Sequence, residues 1–187
     1  MSTQTSLDRL QSLLPEVFNP TPQTGDLYLK FNLGSSLKAV ISLSQIVETL
    51  RIPAQSITPI PNMPAYTLGL MGSQGKIFWA IDLAQLLRVP QKNLRSRQYE
   101  VIVVEALSFS PADTLHSDNG AEGLLLGLSV QQIQRTLRFL PDELEPAPVD
   151  AMPGLLPFMQ GRVKQNGDEM LILNVEAIFN AQCLSSV

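Results

Sequence analysis

The sequence predicts an all-β fold built from short strands. About ten short apolar segments alternate with turn signals made of Gly, Pro, Asn, Asp and Ser, and little of the chain keeps a helical spacing of apolar residues. Several of these segments are rich in β-branched residues, which pack well on a pleated surface. Regularly spaced short strands of this kind are typical of β-barrels and β-sandwiches.

The composition limits the function classes that need to be considered. The chain has 187 residues, with 44% hydrophobic and 16% charged, which fits one globular domain or two small subdomains. The net charge is −4 and no basic patch is evident, so nucleic acid is not an expected partner. The only cysteine, Cys183, excludes a disulfide framework. Since the sequence contains neither a signal segment nor an apolar run of membrane-spanning length, we expect a cytoplasmic protein.

Residues 1–25 are predicted to be a flexible N-terminal tail. Leu7, Leu10 and Leu14 would share one face of a short helix capped by Ser6, but an isolated helix of this length is marginal in water. Several prolines interrupt the chain directly afterwards. The alternative is an apolar hook that becomes ordered on a partner.

The first strand follows this tail. Apolar residues alternate strictly with other residues over 26–33, so all four apolar side chains would lie on one face. Gly34-Ser-Ser predicts a turn, and residues 37–43 would return as the hairpin partner. A third apolar group follows at 46–50, after a single helical turn that Ser44 could cap.

Residues 57–83 are the most distinctive part of the sequence. Three prolines in 57–64 exclude a helix and favour an extended segment. The three glycines of 69–75 predict a loop with positive φ angles or close backbone contacts. A buried strand is expected at 76–82, and Asp82 is placed to cap a short helix over 83–87.

Two further strands are expected in the second half. Residues 99–106 hold a β-branched run typical of a strand covered on both faces, and 124–128 form another apolar strand. The intervening 108–123 are rich in Ser, Pro, Asp, Asn and Gly, which predicts a long exposed loop. The segment 130–140 is ambiguous from its residues, because its apolar positions keep helical spacing.

The C-terminal part predicts one more hairpin. Four prolines make 143–157 an extended connection. Gln165-Asn-Gly-Asp is a strong turn signal, because Asn-Gly tolerates the positive φ that a two-residue turn requires. The return strand spans 170–173, and 175–179 would form a last helical turn.

No combination of residues predicts catalysis, a metal or a cofactor. The glycines at 69, 72 and 75 lack the preceding strand and following helix of a dinucleotide site. His116 lies in a polar loop, which offers no fixed geometry for a general base, and Cys183 has no dedicated base. Asp82 is better interpreted as a helix cap than as a catalytic carboxylate. Trp79 is either a core residue or an exposed binding anchor.

These segments resemble a known family. Ile-Thr-Pro-Ile-Pro-Asn-Met-Pro (57–64), followed by the glycine segment and by Ile81-Asp82-Leu83, resembles the signature of the CheW-like coupling domain of bacterial chemotaxis. Three positions depart from that pattern. Gly72 replaces an Asn, Gln74 replaces an Arg, and Trp79 stands where the family often has Pro.

The resemblance implies a fold and a domain organisation. The implied fold is two interleaved five-stranded β-barrels with a few short helices, covering residues 26–187. We expect the boundary between the barrels near residues 88–98, with the C-terminal segment returning to the first barrel. Gly127-Leu-Ser-Val-Gln-Gln-Ile is similar to a second-half signature of the family, which favours a turn and then a strand within 130–140.

The resemblance also implies a function without enzymatic chemistry. Family members are scaffolds that couple methyl-accepting chemoreceptor tips to the regulatory domain of a CheA-type histidine kinase. The chain is therefore expected to be recruited from the cytoplasm to membrane-associated receptor arrays. In the family, a turn and the glycine loop line the receptor groove. The resemblance implies that the lining residues here are Ile46, Glu48, Leu70, Met71, Ser73 and Gln74.

Two refinements are left open by the sequence. The sequence of residues 77–83, Ile-Phe-Trp-Ala-Ile-Asp-Leu, resembles the corresponding segment of coupling proteins that serve pilus-dependent taxis, including phototaxis. The alternative to a coupling adaptor is a CheW-like module recruited to bind response regulators or pilus-motor components.

Overall fold

The protein is built from short β-strands that form two sheets. A computed structural model describes residues 24–34, 37–91, 97–106, 124–148, 152–165 and 167–184. Within these ranges the chain forms eleven strands and two α-helices, joined in places by short 3₁₀ turns. The strands are β1 (Asp26–Leu33), β2 (Leu37–Ser42), β3 (Ile46–Pro53), β4 (Thr67–Ser73), β5 (Lys76–Asp82), β6 (Gln98–Ala106), β7 (Leu124–Val130), β8 (Gln132–Phe139), β9 (Leu144–Glu145), β10 (Met159–Gln165) and β11 (Asp168–Leu173). The helices are α1 (Leu83–Leu86) and α2 (Val175–Leu184).

The strands form two sheets that are interleaved along the sequence. Sheet A has the order β8-β1-β2-β11-β10-β9, and sheet B has the order β3-β6-β7-β5-β4. Most neighbours are antiparallel, but β11 pairs with β2 and β5 pairs with β7 in parallel. Sheet A therefore combines the first two strands, β1 and β2, with the last four, β8 to β11. Sheet B holds the five strands between them, β3 to β7.

Three apolar clusters fill the fold. One lies between the sheets and includes Phe31 of β1, Ile102 of β6 and Leu128 of β7, together with Ile178 of α2. A second lies on the other face of sheet A and a third on the other face of sheet B. Because both faces of the central strands are buried, successive residues of β6 from Val101 to Val104 are all inaccessible to solvent.

Several sequence predictions are confirmed. The fold is all-β, and the β-branched run of β6 is covered on both faces, as its composition indicates. The ambiguous segment 130–140 contains the strand β8, so the interpretation based on the family resemblance is correct there. Asp82 caps α1, because its Oδ1 accepts a hydrogen bond of 3.0 Å from the backbone N–H of Gln85.

Other predictions need correction. The glycine segment is not a loop, since Gly69 and Gly72 lie inside β4 and only Gln74 and Gly75 form the turn. The sheets have six and five strands, the sixth of sheet A being the two-residue β9, which pairs with β10. Helix α2 extends over ten residues and is more than a single turn.

Some predictions concern residues beyond the described ranges. Residues 1–23 of the predicted tail 1–25, the loop around His116 and Asn166 of the last hairpin turn lie there. The proposed boundary between two barrels near residues 88–98 stays a prediction. In the described part of the chain, the helices are all too short or too polar to cross a membrane.

Candidate functional site

A tight turn brings the predicted site residues of β3 and β4 together. Gln74 and Gly75 both have positive φ, 48° and 79°, as a two-residue hairpin turn between β4 and β5 requires. The turn places the Gln74 Nε2 atom 2.9 Å from Glu48 Oε2 on β3. Because β3 and β4 are the two edge strands of sheet B, this hydrogen bond joins its opposite edges.

A close backbone approach joins the same edges a few residues away. Thr58, in the proline segment after β3, exchanges two backbone hydrogen bonds with Leu70 of β4, of 2.8 and 2.9 Å. Gly69 has φ of 139°, and a Cβ atom there would lie 2.1 Å from the Thr58 carbonyl oxygen. Glycine is therefore required at position 69 for sheet B to curl onto the proline segment.

The structure separates the six predicted site residues into two groups. Ile46, Glu48, Leu70 and Ser73 are partly exposed and Gln74 is exposed, so five of them can be reached by a partner. Met71 is different, because only 3% of its surface is exposed and it packs in the cluster inside sheet B. Ile46 and Glu48 lie on strand β3 and not in the turn that the resemblance implies.

An exposed apolar patch beside these residues was missed by the sequence predictions. Ile77 of β5 is 78% exposed, although the strand was expected to be buried. It lies opposite Gly72, which has no side chain to cover it. Since Trp79 is in register with Leu126 of the parallel strand β7, Ile77 lies beside Leu124, which is 48% exposed.

We call Leu70, Ile77, Trp79 and Leu124 the β5 patch. Leu70 and Trp79 are directly opposite in the β4–β5 pair, and both are partly exposed. The patch lies at the end of sheet B where β5 and β7 begin. A period-two alternation with Gly72 as the cross-strand neighbour is the signal that could have identified Ile77 as uncovered.

The described ionisable groups whose pKa values are shifted lie in sheet A, away from this site. Hydrogen bonds from Lys30 and then Lys38 lower the pKa of Asp168 from its ordinary 3.8 to about 2. The hydrogen bond to Glu145 raises the pKa of Arg162, and burial raises the pKa of Tyr28. All of these residues belong to sheet A, so these shifts accompany ion pairs and packing within that sheet.

The site on sheet B offers groups that can form noncovalent contacts with a partner. Over the described ranges, no three His, Cys, Asp or Glu side chains are grouped so that they could hold a metal ion. The site offers one carboxylate, one amide, one hydroxyl and an adjacent apolar patch. Such a mixture of exposed apolar groups and polar neighbours is typical of a protein-binding surface.

Comparison with known proteins agrees with this description. The model of the CheW-like domain family matches residues 27–183. The fold is similar to the crystal structure of the scaffolding protein TtCheW from Thermoanaerobacter tengcongensis, with a TM-score of 0.65 and 22% sequence identity. That match covers 81% of this chain and 90% of the other. Among curated proteins, none matches the sequence. Because the family model spans most of its length, the chain belongs to the CheW-like domain family.

Proposed function

We propose that this chain is a non-enzymatic coupling adaptor that joins chemoreceptor tips to the regulatory domain of a CheA-type histidine kinase. Membership of a family of chemotaxis scaffolds supports this role. The observation that carries it is the β5 patch beside the Glu48–Gln74 hydrogen bond, in which Ile77 and Leu124 are exposed and Leu70 and Trp79 are partly exposed. A surface of this kind serves recognition without any chemical step.

The receptor-facing surface in this proposal consists of five of the residues that the sequence suggested. Ile46, Glu48, Leu70, Ser73 and Gln74 lie on or next to the two edges of sheet B that meet at the β4–β5 turn. Met71 is not a contact residue in this proposal, since its buried side chain supports β4 from inside sheet B.

The kinase-facing surface is assigned to the end of sheet B marked by Ile77 and Leu124. Large exposed aliphatic side chains that neighbour each other become favourable contacts when a partner removes them from water, at about 25 cal/mol per Å² of apolar surface. A partly exposed Trp79 beside them fits the preference of binding surfaces for aromatic anchors.

Reconstituted signalling tests the adaptor role. The measurement is the autophosphorylation rate of the kinase in the presence of receptor-containing membranes, with and without the purified chain. We expect the chain to raise the rate and Gln74→Glu to lower this gain, because a second carboxylate would repel Glu48. Gln160→Glu makes the same chemical change at an exposed position of β10 and should behave as wild type. A rate that does not depend on the chain would contradict the adaptor role.

We further propose that the chain serves a pilus-dependent or phototactic pathway, because the sequence of residues 77–83 resembles coupling proteins of such pathways. Deleting the gene should then abolish directed surface movement while leaving pili assembled. Normal directed movement after deletion would exclude this pathway.

One observation favours a second candidate partner class. The family pattern has Arg where this chain has Gln74, so the site presents a neutral amide paired with Glu48. The alternative is therefore a module that binds response regulators or pilus-motor components. Binding of a response regulator with no binding of the kinase domain would support the alternative and exclude the adaptor.

A further inference from the structure

A cleft of about 300 Å³ lies at the opposite end of sheet B from the β5 patch. It is formed where β5 and β7 end and β6 begins, with Leu33 of sheet A on one wall. Its remaining lining is mostly polar, and the residues that matter for the argument are Arg51, Asp82, Glu100, Ser129 and Gln131. A volume of this size is sufficient for a small ligand or for one long side chain.

The Glu100 carboxylate forms part of the cleft and also joins the two sheets. Its Oε1 accepts a hydrogen bond of 2.5 Å from Arg51 Nη2 on β3. Its Oε2 accepts one of 2.5 Å from the backbone N–H of Ile133 on β8, which belongs to sheet A. A carboxylate has about four acceptor positions, so the described partners of Glu100 leave about two of them open.

Asp82 adds a second carboxylate at the carboxyl end of β5. Its oxygens accept hydrogen bonds from the Gln85 backbone and from the Gln85 and Gln91 side chains, of 2.9 to 3.0 Å. These described partners leave one acceptor position of about four open. The open positions that these carboxylates contribute are therefore all acceptors.

Ser129 is an independent sign that the cleft is built to receive a polar group. Its side chain lines the cleft and the residue is only 7% exposed. No hydrogen bond within the described part of the chain holds its hydroxyl, and this oxygen is not among the fully buried unpartnered atoms, so it can be reached from the cleft. The parallel register of β5 and β7 places it beside Asp82.

The charge of the lining indicates which ligand fits. Among the described lining residues, Asp82 and Glu100 are negative and Arg51 is positive, which leaves one excess negative charge in this set. Arg51 lies at the mouth, since 69% of its side chain is exposed, and Glu100 already holds it. A donor-rich cation would fill the open acceptor positions and balance the excess charge.

We propose that this cleft binds a cationic guanidinium or ammonium group. The group could belong to a small molecule or to an arginine side chain of a protein partner. This site is separate from the adaptor surface, because it lies at the other end of the same strands. Its failure would leave the adaptor proposal intact.

The test is an NMR titration of the full chain with agmatine, which carries both cationic groups, and with glutarate as an anionic probe. We expect saturable shifts of backbone amides at 82, 98–100 and 129–131 with agmatine and none with glutarate. Glu100→Gln keeps an acceptor for Ile133 but removes the charge, so it should weaken agmatine binding by at least about tenfold. Glu105→Gln, on the same strand but outside the cleft lining, is the matched control and should bind as wild type.

Two further measurements make the result decisive. If Glu100→Gln alters the fold, Asp82→Asn replaces it, since asparagine also caps helices. Micromolar agmatine affinity indicates a small-molecule ligand, whereas millimolar affinity with competition against a protein partner indicates an arginine side chain. Absent saturation, equal binding of glutarate, or unchanged binding by both variants would overturn the proposal.

Discussion

Ion pairs link several strands of sheet A, whereas the described contacts that join the two edges of sheet B are uncharged or involve one neutral amide. In sheet A, Lys30, which is 5% exposed, donates to Asp168 at 2.7 Å, and Lys38 donates to the other oxygen of the same carboxylate. Arg162 of β10 similarly joins Glu145 of β9 and Glu169 of β11. In sheet B, the edges meet through the backbone bridge of Thr58 and Leu70 and through a neutral amide at Gln74.

This difference separates structural roles from binding roles. The Lys30, Lys38 and Arg162 side chains are occupied by carboxylates on other strands of sheet A, so we assign them to stability. The edges of sheet B meet through close backbone packing, which leaves the side chains of the β5 patch available to a partner. Changes in sheet A should therefore alter pH-dependent stability, and surface changes in sheet B should alter binding.

The largest effect is expected from Gly69→Ala. The added Cβ atom would meet the Thr58 carbonyl oxygen, and the positive φ would be strained. We expect a loss of about 4 kcal/mol in the free energy of unfolding, measured by urea denaturation. Gly72→Ala is the matched control on the same strand, because its Cβ would meet nothing closer than 3.6 Å. Equal stability of both variants would show that the backbone bridge does not hold sheet B.

Met71→Ala should have the next largest effect. The side chain is buried among Ile57, Phe78 and Val103, so truncation would leave a cavity and cost about 3 kcal/mol. Ile77→Ala is the control, because it truncates a side chain that is mostly exposed. It should change the free energy of unfolding by less than about 0.5 kcal/mol. A stable Met71→Ala protein that loses partner binding would instead return Met71 to the contact surface.

Asp168→Asn tests the charged interactions of sheet A. Because the folded-state pKa of about 2 lies below the ordinary 3.8, the carboxylate stabilises the protein fully above that ordinary value. This stabilisation is lost as the pH falls through 3.8 to about 2. The variant should therefore melt at a lower temperature than wild type at pH 7, with the difference vanishing near the lower value. Asp142→Asn, in the exposed 3₁₀ turn before β9, should follow the wild-type pH profile.

Gln74→Arg should have the smallest effect. An arginine would convert the hydrogen bond with Glu48 into an exposed ion pair, which we expect to stabilise the protein by less than about 1 kcal/mol. A double-mutant cycle with Glu48→Gln isolates this coupling, and added salt should weaken it. A coupling that does not respond to salt would exclude an ion pair.

The predictions that succeeded rest on local signals. Asp82 is followed by a short helical pattern, so its capping role needs no knowledge of distant residues. The run from Val101 to Val104 is apolar at every position, which requires burial on both faces wherever the strand lies.

The predictions that failed depend on contacts between distant segments. Gly69 is required by the carbonyl of Thr58, and this approach cannot be recognised within a short stretch of sequence. The glycines also conceal the alternation of β4, so that Met71 was assigned to a loop surface and not to the core. Ile77 is a different case, because the Gly72 opposite it belongs to the same β4–β5 hairpin, so its exposure follows once the register of that hairpin is known.

The central claim is that the end of the β5 patch marked by Ile77 and Leu124 binds the kinase. The most direct test is titration calorimetry of the chain with the regulatory domain of the CheA-type kinase from the same genome. We predict that Ile77→Lys weakens binding by at least about tenfold, because a charge would be placed in an apolar contact. Met152→Lys makes the same change at an exposed methionine outside the patch and should bind as wild type. Unchanged affinity of Ile77→Lys, or no binding by wild type, would contradict the claim.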